Sequence, residues 1–293
     1  MSAMTDVIAS PSVRALALQK GIDIARLARD TGRTTITRDD LLTSPVRTAG
    51  DTSFWDVDHS QFGPVTQEPL SRFAQVSSAN LAAAQALIPA VTHHDRADGT
   101  AIDALRAELK AEAQARGVKL TALAVQTKAL ARALREFPRF NASLSADGKT
   151  LILKGYVHIG IAVDTAHGLM VPVVRDADRK GVWQIAAEIT DLAARAQDRK
   201  VRPEEMGGAS MTITNLGGIG GTAFTPIVNP PEVAILGITK TEIAPVWDGQ
   251  AFQPRPMIPL DLSYDHRVIN GADAARFMSY LCRLLADPRR IMV

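Results

Sequence analysis

The sequence has few of the residues that mark several common protein classes. It holds a single cysteine, Cys282, among 293 residues, which excludes an internal disulfide and a cysteine cluster for zinc or iron–sulfur. No apolar run approaches the roughly 18 residues that a membrane helix needs. The first residues lack the basic-then-apolar order of a signal peptide. We therefore expect a cytoplasmic protein without a metal site.

Neither sign of charge is in clear excess. Lys and Arg number 33 against 31 Asp and Glu, for a net charge of +2. This balance does not indicate nucleic-acid binding by itself. Apolar residues make up 46% and charged residues 22% of the chain, which is typical of a globular protein. The length suits one large domain, or a large and a small one.

The first forty residues have a helical pattern. Ser10 and Pro11 are expected to be an N-cap and a first-turn proline, and Gly21 is expected to end the first helix. A short turn is expected over Ile22 to Leu27, and a second helix from Thr37. From residue 43 to 64 the composition changes to Ser, Pro, Thr, Gly and Asp, which predicts a linker between domains.

The remaining chain alternates between helical and strand-like periodicity. The pattern predicts helices over 77–87, 101–116, 121–137, 183–199 and 272–286. It predicts strands over 157–163, 169–173, 211–216, 233–238 and 257–264. We find neither an internal repeat nor a low-complexity segment. The fold class is therefore α/β (α+β) with a mixed sheet.

Charged residues directly follow the last predicted strand. Ser263-Tyr264-Asp265-His266-Arg267 stands at its end, and Asn270 and Gly271 precede a helix. A histidine at a strand end can exchange a proton near neutral pH, so His266 is a candidate general base. The alternative is a turn in which Asp265 and Arg267 form a local salt bridge.

A glycine-rich loop, Gly217-Gly218-Ile219-Gly220-Gly221, follows the strand that ends at Leu216. A dinucleotide-binding loop would need a helix directly after the glycines. The residues that follow include Pro226, Pro230 and Pro231, which cannot open a helix. We therefore exclude a nicotinamide site and expect a tight bend or a close backbone approach.

Two other features favour a structural role. His93 and His94, with Asp95, are neighbours on one strand, so their side chains point to opposite faces and make a poor metal site. Cys282 lies between Leu281 and Arg283 on the last helix and is expected to be a core residue rather than a nucleophile.

Several ordered motifs resemble those of the dihydrolipoamide acyltransferases, the core components of 2-oxo acid dehydrogenase complexes. Asp265-His266-Arg267 with Asn270-Gly271 is similar to the family's DHRxxDG signature. Other segments similar to the family are 138–141, 168–173, 210–217 and 230–237, and 245–249 is similar to acetyl-transferring bacterial members of pyruvate dehydrogenase. The resemblance covers residues 65–293 and implies a chloramphenicol-acetyltransferase-like catalytic domain.

Residues 8–42 resemble the small helical peripheral subunit-binding domain that precedes this catalytic domain. Ala9-Ser10-Pro11, Gly21-Ile22-Asp23 and Asp39-Asp40-Leu41 carry the likeness. The segment is atypical, because Thr34-Thr35-Ile36 replaces the family's Gly-Arg-Ile and its partner-gripping arginine. The alternative is a helical cap without a binding role.

The resemblance implies transfer of an acetyl group between coenzyme A and dihydrolipoamide. His266 would be the base, Thr214 would donate to the oxyanion, and Asn270, where aspartate is more usual, would orient its neighbours. Substrate contacts, including those to coenzyme A, are expected from Arg72, Ser78 and Asn215. The lipoyl group would come from another domain or chain, because the sequence contains no Asp-Lys-Ala lipoyl turn.

The expected assembly is a homotrimer that builds a cubic core, with the site shared between two subunits. Expected partners are the decarboxylase and dihydrolipoyl dehydrogenase components and lipoyl domains. Ile291-Met292-Val293 resembles the apolar anchor between trimers, or it simply finishes the last helix. Two other functions remain open: a catalytically weak structural core, and an acetyltransferase for a free small molecule.

Overall fold

The structure is a computed structural model that describes residues 7–20, 24–31, 33–43, 57–166 and 168–291. The chain divides into two units, Met1–Pro69 and Leu70–Val293. The predicted ends of the linker, at residues 43 and 64, lie on either side of the gap at 44–56, so most of that segment lies outside the described residues. Gly21, Met292 and Val293 also lie outside them, and the predictions for these residues stay predictions.

The described part of the first unit contains three α-helices: α1 (Pro11–Lys20), α2 (Ile24–Thr31) and α3 (Arg38–Thr43). The predicted N-cap is present, since the Val13 amide donates to Ser10 Oγ at 3.3 Å. The turn predicted over 22–27 is wrong, because α2 begins at Ile24. Ile24, Leu27 and Ala28 follow helical spacing and pack into the small core of this unit, which also contains Val13, Ala17, Ile36 and Leu41.

Six helices belong to the described part of the second unit. They are α4 (Arg72–Leu87), α5 (Thr100–Glu108), α6 (Lys110–Ala115), α7 (Ala122–Glu136), α8 (Val182–Gln197) and α9 (Gly271–Ala286). Helix α4 begins five residues before the predicted start, because Ser71 Oγ caps it by accepting from the Ala74 amide at 3.2 Å. The helix predicted over 101–116 is broken at Leu109, whose ψ of 5° interrupts the regular ladder.

The main sheet combines parallel and antiparallel pairs, as the sequence predicts. Its strands are β1 (Ala90–Asp98), β4 (Ile159–Ile161), β7 (Val173–Val174), β8 (Met211–Asn215), β9 (Ala234–Ile238), β10 (Glu242–Trp247) and β11 (Phe252–Asp265). The order is β1–β11–β9–β8–β4–β7, and β10 pairs with β11. β8 runs parallel to β4 and β9, and the other pairs are antiparallel.

Two separate two-stranded sheets lie outside the main sheet in the described residues. They are β2 (Ala142–Leu144) with β3 (Leu151–Leu153), and β5 (Val163–Thr165) with β6 (Gly168–Met170). The single strand predicted over 157–163 is therefore wrong. Its alternation ends within β4, where Ile159, Gly160 and Ile161 are all buried, and the chain then leaves the main sheet and enters β5. Strand β10 was not predicted, because it contains Pro245. Proline cannot donate a ladder hydrogen bond, so it argues against a strand except at the edge of a sheet.

The core of the second unit lies between the main sheet and helices α7, α8 and α9. Helix α7 is buried over most of its circumference, so it is the central element of this layer. Phe140 stacks on Phe277 of α9 with ring centroids 4.2 Å apart. Within the described ranges, no helix has the length and apolarity needed to cross a membrane.

Candidate active site

His266 lies on a tight turn that follows the last strand. The Asp265 amide donates to Val233 O at 2.9 Å and the His266 amide to Pro89 O at 3.1 Å, so the backbone is held on both sides. The Arg267 guanidinium binds the Asp265 carboxylate with two nitrogens, at 2.9 Å and 2.6 Å. These bonds raise the pKa of Arg267. The salt bridge foreseen as an alternative therefore exists, and it fixes the turn that presents the exposed His266 ring.

Asn270 begins the helix that follows this turn. Its Oδ1 accepts from the Asp273 amide at 2.9 Å, which makes it the N-cap of α9. Its side chain therefore has a structural contact of its own, four residues after His266. A role in orienting the catalytic groups stays a prediction.

Thr214 lies near the end of β8 and lines a cavity of about 510 Å³ between α4 and the sheet. We call it the α4–β8 cavity. Its polar side chains are Ser77, Asn80, Thr212, Thr214 and Asn229, and apolar side chains such as Phe73, Leu169 and Phe224 make up most of the remaining wall. Such a hollow, largely apolar with a few convergent polar groups, is typical of a small-molecule site.

Within one chain, Thr214 and His266 stand far apart. Thr214 is in register with Gly237 of β9, and Gly237 is in register with Asp261 of β11. His266 lies five residues beyond Asp261, which is roughly 15 Å along the strand, and the two ladders add roughly 10 Å across the sheet. A hydroxyl and an imidazole at that separation cannot act on the same atom.

A buried carboxyl group behind the cavity was missed by the sequence analysis. Thr212 Oγ1 donates to Glu232 Oε1 at 2.9 Å, and the Glu232 amide donates to Asn229 O at 3.0 Å. Burial raises the pKa of Glu232 to about 7, against the lowering effects of the bond from Thr212 and of Lys154. The alternation of Thr212 and Thr214 could have indicated the shared face, but the Thr212–Glu232 contact joins residues twenty positions apart.

The structure does not bring the three predicted substrate contacts, Arg72, Ser78 and Asn215, into one cavity. Ser78, on α4, lines a hollow of about 560 Å³ that shares Phe73, Ser77, Leu81, Leu169 and Ile227 with the α4–β8 cavity. Arg72 is the exposed first residue of α4. Asn215 ends β8, and its Oδ1 accepts from the Gly217 amide at 2.8 Å, so it shapes the start of the glycine loop. Their roles toward substrate stay predictions.

The other candidate groups make internal contacts. His94 Nδ1 lies 2.6 Å from Oδ1 of the buried Asp261 on the neighbouring strand. Cys282 packs against the core, and burial raises the pKa of its thiol to about 12. The described residues contain no group of three or more histidine, cysteine or acidic side chains that could hold a metal ion. The glycine loop is not followed by a helix, as the prolines after it predict.

Comparison with known proteins gives a consistent result. Residues 62–293 match the family "2-oxoacid dehydrogenases acyltransferase (catalytic domain)". The chain is 48% identical to the dihydrolipoyllysine-residue acetyltransferase component of the pyruvate dehydrogenase complex of Pseudomonas aeruginosa, over 98% of this chain and 55% of that protein. It is 40% identical to the corresponding component of Bacillus subtilis, over 98% of this chain and 68% of that protein.

Two solved structures share the fold of the second unit. One is the cubic core of a pyruvate dehydrogenase multienzyme complex, 53% identical, with a TM-score of 0.80 over 81% of this chain and 98% of that one. The other is the Azotobacter vinelandii dihydrolipoamide acetyltransferase, 52% identical, also with a TM-score of 0.80 and the same coverage. That structure was used to investigate the role of a serine, a histidine and an asparagine in the catalytic mechanism.

The match extends over most of this chain, whereas the chain spans about half the length of the first relatives. The family match begins three residues before the predicted domain start at 65, and the second unit begins at Leu70. Because the family match covers residues 62–293 and the chain is 40% to 48% identical to the two relatives above, the chain belongs to the 2-oxoacid dehydrogenase acyltransferase family.

Proposed function

We propose that the chain transfers an acetyl group between coenzyme A and dihydrolipoamide, as the core component of a pyruvate dehydrogenase complex. One observation carries this proposal. Thr214, His266 and Asn270 stand at the same intervals along the sequence as the serine, histidine and asparagine studied in the Azotobacter acetyltransferase. Threonine in place of serine keeps the hydroxyl donor. The α4–β8 cavity beside Thr214 offers the space that a substrate needs.

His266 is assigned the proton transfer. In the direction from acetyl-CoA, it takes the proton from the attacking dihydrolipoamide thiol, and the sulfur adds to the thioester carbonyl carbon. When the tetrahedral intermediate collapses, the carbon–sulfur bond to coenzyme A breaks, and His266 returns the proton to the departing thiolate. The ion pair of Asp265 and Arg267 holds the turn during this exchange.

Thr214 is assigned the stabilisation of the oxyanion. Its hydroxyl donates a hydrogen bond to the oxygen that carries the charge in the intermediate. Loss of one such donor typically costs about 2.7–4 kcal/mol of transition-state stabilisation. This chemistry uses no enzyme-bound acyl group, so the raised pKa of Cys282 has no bearing on it.

We infer that the working unit is a homotrimer. The separation of Thr214 and His266 in one chain supports this, because a neighbouring subunit must bring the second group. Exposed apolar side chains surround the α4–β8 cavity, with between 37% and 55% of their surface accessible: Phe73, Val76, Leu81, Leu169 and Ile227. An apolar patch of this kind is typical of a subunit contact.

The same proposal assigns the partners. Lipoyl domains of the same or another chain deliver the acetyl group, and the decarboxylase and dihydrolipoyl dehydrogenase components dock on the core. The atypical module at 8–42 is a candidate for that docking. Trimers would assemble into a cubic core, a form known for the related structure. A cytoplasmic location stays a prediction of the sequence.

Acetyl transfer from acetyl-CoA to free dihydrolipoamide tests this function directly. The wild type is expected to be active, and His266→Ala to lose nearly all activity. The matched control is His59→Ala, which removes an exposed histidine outside the family match. An assembled wild type without activity would contradict the proposal and favour the structural-core alternative.

A further inference from the structure

A buried carboxyl group stands behind the wall of the α4–β8 cavity. Glu232 is 5% exposed, and its Oε1 accepts the hydrogen bond from Thr212. Its Oε2 is buried and has no hydrogen-bond partner in the part of the chain that the structure describes. A buried carboxyl group with an unpaired oxygen lowers the stability of a fold, so its presence calls for an explanation.

The contacts of Glu232 lead to the cavity. Thr212 hydrogen-bonds its carboxyl and Asn229 O accepts from its amide, and both residues line the cavity wall. Thr212 and Thr214 are alternate residues of β8, so their side chains share one face of the sheet. Space around Thr212 is tight, since a Cβ added at Gly160 of the neighbouring strand would lie 2.5 Å from its Oγ1. Glycine at position 160 therefore leaves the space that the Thr212 hydroxyl occupies.

We propose that Glu232 is a positioning residue of the transfer site, which holds Thr212 and Asn229, and through β8 the Thr214 hydroxyl, in the places that the reaction requires. The inference rests on the proposed function, because it assigns Glu232 to that same site. Glu232 does not contact the reacting atoms and acts through Thr212, which its carboxyl binds, and through Asn229, which its amide binds.

The charge on Glu232 changes near neutral pH, because burial raises its pKa to about 7. The charge of Lys154 lowers the pKa of Glu232 and so opposes the effect of burial, and the side chains of Thr212 and Asn229 are neutral. Lys154 Nζ donates to Ala209 O at 3.0 Å, and burial lowers the pKa of Lys154. When Glu232 is ionised, the bond from Thr212 becomes charge-assisted and therefore stronger. The site is thus held more firmly above neutral pH than below it.

Kinetics of Glu232→Gln and Thr212→Val in the full-length assembled chain test the inference. Gln keeps an acceptor for Thr212 but cannot ionise, so its kcat should match the wild type at about pH 6 and fall about threefold to tenfold below it at about pH 8, with KM nearly unchanged. Thr212→Val should lower kcat at both pH values, and by a larger factor at about pH 8, where the bond that it removes is charge-assisted. Glu232→Gln added to Thr212→Val should have no further effect.

The matched control is Glu108→Gln, which removes an exposed carboxyl group on α5. It should leave the pH profile unchanged. If the wild type is active and both Glu232→Gln and Glu108→Gln keep its pH profile, the inference is wrong, but the proposed function still holds. A wild type without transfer activity would overturn the proposed function and, with it, this assignment.

A stability measurement gives a readout that does not depend on activity. Since the folded pKa of Glu232 is raised above its ordinary value of 4.5, this group stabilises the fold fully below about pH 4.5 and loses that contribution as the pH rises through about 7. The Tm of Glu232→Gln relative to the wild type should therefore rise between about pH 5 and about pH 8. A constant Tm difference over this range would contradict the titration on which the inference depends.

Discussion

Asn270 shows how one residue can serve the fold beside the proposed chemistry. Its side chain caps α9 by accepting from the Asp273 amide, directly after the turn that carries His266. Aspartate is an equally good N-cap residue, so Asn270→Asp should keep the cap and most of the transfer activity. Asn270→Ala should lower the free energy of unfolding by about 1 kcal/mol. Chemical denaturation and the transfer assay measure both effects.

A loss of activity in Asn270→Asp as large as that in His266→Ala would contradict this account. It would mean that the amide nitrogen, which a carboxylate lacks, has a direct part in the reaction. We expect only a small loss in Asn270→Asp. Its cause would be repulsion between the new carboxylate and that of the neighbouring Asp273 at the start of α9.

At the scale of elements, the sequence predicts those features that local patterns determine. The predicted cap at Ser10 and the end of the helical stretch predicted over 101–116 agree with the structure, since capping depends on neighbouring residues. The division of the strand over 157–163 was not predicted, because it depends on pairing with distant parts of the chain.

Some residues of the candidate site could be predicted from the sequence, and others could not. His266 is conspicuous at a strand end, whereas Thr214 was found through the resemblance of its segment to the family. Thr212 and Asn229 were missed because the cavity joins β8 to a loop and to α4, which are separated in sequence. Pairing between strands that are distant along the chain leaves no short-range signal.

Strand β9 carries a prediction about the cavity wall. Gly237 lies opposite Thr214, and a Cβ added there would lie 2.7 Å from the Phe224 ring. Gly237→Ala should therefore displace that ring, lower the free energy of unfolding by about 1–3 kcal/mol and raise the KM for substrate. Denaturation curves and steady-state kinetics report the two effects.

The control for this variant is Gly155→Ala, whose added carbon meets no atom within 4 Å. It should change stability by less than about 0.5 kcal/mol and leave KM unchanged. Equal effects of the two substitutions would show that the contact between Gly237 and Phe224 does not shape the cavity.

At the scale of the whole molecule, the sheet register places the two proposed catalytic groups too far apart to work in one chain. The register is a property of the backbone ladder from β8 through β9 to β11, so side-chain motion cannot close the gap. A site that needs two copies links activity to assembly, and an isolated monomer should be inactive. The exposed apolar side chains around the α4–β8 cavity offer the surface for such a contact.

Complementation between two inactive variants tests this claim most directly. His266→Ala and Thr214→Ala would be assayed separately and then as co-assembled mixtures in equal amounts. If the site is shared, each variant alone is nearly inactive, and the mixture recovers up to about a quarter of the wild-type activity, because about that share of subunit contacts pairs an intact His266 with an intact Thr214. Assemblies that contain both chains and recover no activity would contradict the shared site.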